Sequence, residues 1–241
     1  MQNQESIKNA SPSSRPIPGA QYYLLLLILF GYPAISYLLN QYNPIEPEKV
    51  ISKISQIYLP ALITQLFMLL VVLTVARRSE KDYESLGLAK SDLTWSNALS
   101  GIIFFFGAWA LIILIRGAVE RSGYLPEKEF IFMLPVTITE RIVWFFLSLG
   151  AALSEEITFR GFAVSRLKIL TGGYFIAATL SSAAFSMGHL YQGVAGVFLT
   201  FIYGMLFAGL FVARRSVFPC IIAHFLQDAI ILFVFPGPAA N

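Results

Sequence analysis

Charge is scarce in this chain. Of its 241 residues only 13% are Asp, Glu, Lys or Arg, against roughly 25% in an ordinary soluble domain. That shortage excludes a surface that faces water over most of its area. Cysteine is scarcer still. Cys220 is the single one, which excludes an intramolecular disulfide and a thiolate metal cluster. It stands in an apolar run, where cysteine is usually a small packing residue. Histidine occurs twice, at 189 and 224. No internal repeat and no HExxH is present. The net charge of +3 is spread between apolar segments. It gives no nucleic-acid footprint, and such residues mainly set membrane orientation.

What the chain has instead is apolar length. Hydrophobic residues make up 56% and the mean hydropathy is +0.68. The fold expected is all-α, a polytopic transmembrane bundle of seven helices. A spanning helix needs roughly 20 predominantly apolar residues. Candidate spans are 22–39, 54–76, 93–115, one from Ile142 through Glu155 and Glu156 to a turn at Thr171–Gly173, two within the uncharged stretch 169–213, and 217–235. The sequence HLYQG at 189–193 divides the long uncharged stretch. Residues 1–20 are polar and rich in Ser and Pro, and are expected to be a disordered tail. Residues 21–241 form one bundle, with the motif-bearing core at about 142–235. Tyr22, Tyr23, Tyr58, Trp95 and Trp144 fall near span ends, as an interfacial aromatic belt would.

Lys and Arg are more numerous on the segments that share a side with the N-terminus. The positive-inside rule then predicts a cytoplasmic N-terminus, most simply in the cell membrane. Arg214-Arg215 reads as part of that topology signal.

A charge within the bilayer is costly and survives where it faces the bundle interior, pairs, or acts. Glu155, Glu156, Arg160, His189, His224 and Asp228 all lie in or beside apolar spans. Residues i and i+4 share a helix face, so Glu156 can pair with Arg160, and His224 lies over Asp228. Glu155 points about 100° from Glu156 in a 3.6-residue period, which leaves it free of that bracket. Glu156 and His189 are each roughly 25 Å from the turn at Gly172, at 1.5 Å per residue, so an antiparallel hairpin brings them level. His224 lies closer to Arg215 and is expected to be shallower.

A carboxylate and two imidazoles in a low-dielectric cavity suit the activation of water. Glu155 can act as base, one imidazole can orient the water, and another can stabilise an oxyanion. The donors Glu155, His189, His224 and Asp228 would also suit a divalent metal such as zinc.

Three stretches carry a resemblance. SEEITFRGF at 154–162, FSMGH at 185–189 and HFLQD at 224–228 resemble, in order, the Glu-Glu-x-x-x-Arg, Phe-x-x-x-His and His-x-x-x-Asn/Asp motifs of the CPBP family. That group comprises type II CAAX prenyl endopeptidases and bacteriocin-processing proteins. The motifs cover about the C-terminal third; the N-terminal half resembles the family only in hydropathy. The resemblance implies an intramembrane endopeptidase with Glu155 as base, His189 as its partner, His224 with Asp228 as oxyanion or ligand pair, and Glu156 with Arg160 as braces. Prenyl-processing members typically have Asn at the position of Asp228. An ionised Asp cannot donate to an oxyanion, so both the glutamate-only and the metal-dependent mechanism stay open. The partners implied are membrane lipid and a peptide or membrane-protein substrate. A scaffold or bacteriocin-immunity protein that kept the fold is the alternative. A proton-coupled transporter fits less well, because inverted repeats and paired broken helices are missing.

Overall fold

The computed structural model describes residues 17–77, 80–123 and 132–234. Among these residues the regular structure is all helix, with no strand. Most of the expected N-terminal tail, residues 1–16, lies outside the described residues. Helix α1 already begins at Gly19, directly after Pro18, so the last two tail residues are helical.

Among the described residues there are seven apolar helices, α1 Gly19–Tyr42, α2 Ile54–Ala76, α3 Trp95–Arg121, α4 Ile138–Thr171, α5 Tyr174–Met187, α6 Leu190–Arg214 and α7 Phe218–Val234. Five of them, α1 to α4 and α6, are long and apolar enough to cross a membrane. The other two are short. The 14 residues of α5 reach only about 21 Å at 1.5 Å per residue, against roughly 30 Å of hydrocarbon. An uncharged run shows where a chain is apolar, not where a helix inside a bundle stops.

Local chemistry explains several boundaries. Helix α3 starts at Trp95 because the Thr94 side chain accepts from the Asn97 amide. Helix α4 starts at Ile138, before the expected Ile142, because Thr137 and Glu140 form a capping box. The box satisfies amides that no carbonyl of the helix can reach. Lys53 lies 3.4 Å from Glu140 and offsets its charge.

Helix α4 is the centre of the bundle. Half of its most apolar stretch is buried (50%), against 11% for α1 and α2. Phe159, Phe162, Ala163 and Val164 are fully enclosed. On α1 to α3 the large apolar side chains face outward instead, among them Phe30, Phe67, Ile103 and Leu114. So much exposed apolar surface marks a membrane-facing exterior. Two members of the expected aromatic belt point the other way. Tyr58 is fully buried and donates to the Met133 carbonyl at 2.6 Å, and Trp144 packs edge-on against it.

From Glu156 to Val164 helix α4 is π-helical. Wide turns of this kind recur at functional sites, and this one begins at the second glutamate. The connection between α6 and α7 is recessed. Arg215 takes a left-handed conformation with φ 56°, Ser216 and Val217 are fully buried, and the Val217 amide donates to the Gly87 carbonyl at 3.1 Å. Helix α7 therefore starts below the surface, which brings its first two turns deeper than the count from Arg215 implies.

Candidate active site

Glu155, Glu156, Arg160, His189, His224 and Asp228 all line one cavity of about 440 Å³. Its walls come from α2 to α7, and Trp109, Ile112 and Leu199 give it an apolar face.

Glu156 sits at the centre. Its Oε1 accepts from Arg160 Nη1 at 2.9 Å and lies 2.7 Å from His224 Nδ1. All three side chains are buried. The Arg160 guanidinium lies over the Phe185 ring at 4.4 Å and the Phe207 ring at 5.2 Å. A weakly hydrated planar cation is suited to such a slot. The His224 ring rests on Phe207, with centroids 5.7 Å apart.

A carboxylate accepts only, so His224 donates from Nδ1, and its Nε2 turns to the other side. There it stands 3.7 Å from Glu155 Oε2 and 3.5 Å from Asp228 Oδ2. Both separations are longer than ordinary hydrogen bonds. The recessed start of α7 removes the expected difference in depth between His224 and the glutamates. Arg160 pairs with Glu156 alone, as the spacing predicts, yet both carboxylates face the same imidazole where the π-helical stretch begins.

Glu155 is 5% exposed. Its Oε1 accepts from Gln65 Nε2 at 2.6 Å, while its Oε2 is buried with no hydrogen-bond partner. Asp228 is held from behind, since Trp144 Nε1 donates to its backbone carbonyl at 2.9 Å. His189 lines the cavity but bonds no carboxylate. Its Nδ1 lies 3.0 Å from the Phe185 carbonyl, and a carbonyl only accepts, so Nδ1 carries a proton. Phe185 meets the imidazole edge-on at 4.8 Å.

Among the described residues no three of His, Cys, Asp and Glu gather as a metal ion would need.

Gln65 was not singled out by motif or spacing. Its signal in the sequence is slight: an amide among the apolar residues of 54–76, where a polar group needs a partner.

No curated protein and no solved structure matches this chain. Residues 137–230 match the family model described as type II CAAX prenyl endopeptidase Rce1-like, a segment that holds both glutamates, Arg160, both histidines and Asp228, and the match supports the resemblance to the CPBP family.

Proposed function

We propose that the chain is an intramembrane endopeptidase that hydrolyses a peptide bond with water activated by Glu155, without a metal. The observation that carries this reading is the asymmetry of one carboxylate. Glu155 Oε1 is occupied, and Oε2 is buried, unpartnered and directed to the side of His224 Nε2.

In this reading a water donates one hydrogen to Glu155 Oε2. Its oxygen adds to the carbonyl carbon of the substrate as Glu155 takes the proton. His224, carrying a proton on Nε2 as well as on Nδ1 in this reading, donates from Nε2 to the oxygen of that carbonyl and supports the negative charge that forms there. Asp228 orients the imidazole from the next turn. The Nε2 lone pair of His189 accepts the second hydrogen of the water. The tetrahedral intermediate then collapses, the C–N bond breaks, and the proton held by Glu155 passes to the leaving nitrogen. The products are a carboxylic acid, which keeps the second hydrogen of the water, and an amine, and Glu155 is returned as it began. Glu156 and Arg160 hold His224 and take no part in the transfer.

The substrate is a peptide or membrane protein that reaches the cavity from the bilayer. The excess of Lys and Arg on the N-terminal side supports a cytoplasmic N-terminus in the cell membrane. The test is cleavage by purified protein in detergent. The probe is an internally quenched farnesylated peptide ending in Cys-aliphatic-aliphatic-X, chosen for the family. Wild type should cut it, with or without a chelator. Glu155→Gln should lower the rate by about 10²–10⁴-fold, the usual span for a general base. Equal cleavage by the two proteins would remove the reading.

A further inference from the structure

The charged side chains of the site lie within the family-matched residues 137–230, yet one of their hydrogen bonds reaches outside that segment. Gln65 belongs to α2 and donates from Nε2 to Glu155 Oε1 at 2.6 Å. Among the described residues this is the one hydrogen bond made to the Glu155 side chain. The two helices approach closely to make it. Leu62 of α2 packs onto Gly150 of α4, its Cδ1 2.6 Å from where a Cβ on that glycine would stand, so the two helices touch one turn before Gln65.

The orientation of the amide follows from its partner. An ionised carboxylate has no hydrogen to give, so the amide nitrogen faces it and the amide oxygen faces away. Gln65 Oε1 is then buried without a donor, as Glu155 Oε2 is. Both belong to side chains that line the cavity. A buried acceptor left unmatched is costly. The other charged groups near Glu155 are already engaged: Glu156 with Arg160 and His224, and Asp228 beside His224.

We propose that Gln65 is a positioning residue of the hydrolytic site. It clamps Oε1 of Glu155 so that Oε2 is the oxygen that takes the proton. This inference rests on the hydrolase reading. It makes the N-terminal half of the chain part of the active site.

The test uses the full-length protein in detergent and the farnesylated quenched peptide as probe. Gln65→Leu removes the donor at similar volume. It should lower kcat by about 10- to 100-fold, the span of a hydrogen bond to a charged group, and leave KM within about twofold, because the bond acts on the base and not on substrate binding. Gln65→His, which keeps an N–H, should recover part of kcat. A kcat for Gln65→Leu within about twofold of wild type, beside an inactive Glu155→Gln, overturns the role of Gln65 and leaves the hydrolase reading standing. So does an equal loss in the Leu and His variants that follows the folded fraction. If wild type leaves the probe uncut, the hydrolase reading fails for it, and infrared spectroscopy decides on Gln65 alone. The difference between wild type and Glu155→Gln isolates the carboxylate stretch of Glu155. Gln65→Leu should shift that band, and an unmoved band overturns the clamp.

Discussion

His224 Nδ1 stands 2.7 Å from Glu156 Oε1, the same oxygen that accepts from Arg160 at 2.9 Å. One carboxylate oxygen thus joins the charge bracket of α4 to the imidazole of α7. The two motifs are coupled through a group with no access to solvent.

Arg160→Ala should therefore be a stability variant before it is an activity variant. It leaves Glu156 buried with His224 alone, and breaking a buried pair typically costs about 3–5 kcal/mol. The loss is read as a lowered thermal midpoint and a smaller folded fraction in detergent. The double variant Glu156→Leu/Arg160→Met replaces both charges with apolar groups. It should sit closer to wild type in stability than Arg160→Ala does, while remaining inactive because His224 has lost its anchor. A double variant with near-normal turnover would show that His224 does not need Glu156.

Asp228→Asn should be mild. The side chain is 30% exposed, so the exchange adds little folding cost. Asn offers both an acceptor and a donor toward His224 Nε2, and the Trp144 bond to the backbone carbonyl is untouched. Turnover within about tenfold of wild type is expected, from one hydrogen bond of roughly 1 kcal/mol. Asp228→Asn as inactive as Glu155→Gln would mean that the negative charge itself is required.

Contacts along one helix could be read in the sequence; contacts between helices could not. The 3.6-residue period put Glu156 beside Arg160 and His224 beside Asp228, and both pairs stand within 4 Å. The depth count reached Glu156 and His189 through a single turn. It failed for His224 because the α6–α7 connection is buried against Gly87, a tertiary contact with no local pattern. The Gln65 bond to Glu155 spans 90 residues and leaves no periodic trace. The shortness of α5 and α7 was equally hidden. Apolar residues look alike whether they face lipid or the inside of the bundle.

Reporter fusions test the orientation. Helices α2 and α3 are each long enough to cross, so a fusion after Arg77 and one after Ser122 should report opposite sides, cytoplasmic at Arg77. Matching signals from the two would remove α3 as a span. An external signal at Arg77 would invert the whole bundle.

A glycine inside the second motif makes the last prediction. A Cβ on Gly188 would fall 2.1 Å from Tyr32 Cε1, so α1 occupies the space that any larger side chain would need. Tyr32 cannot retreat easily. Its ring packs on Phe159 at 5.5 Å, Phe159 on Phe185 at 5.1 Å, and Phe185 on His189 at 4.8 Å. Gly188→Ala should therefore push the adjoining His189 out of place. Overpacking of this kind costs about 1–3 kcal/mol, so the protein should still fold and yet lose at least about tenfold in turnover, since small displacements at a reacting centre are felt strongly. Tyr32→Ala alone should cost stability, about 3–5 kcal/mol for a large aromatic removed from a packed position. The pair Gly188→Ala/Tyr32→Ala restores the room and should turn over faster than Gly188→Ala alone, despite being less stable than wild type. If the double variant is no faster than the single one, the glycine is not there for Tyr32, and the aromatic path from α1 to His189 does not position the imidazole.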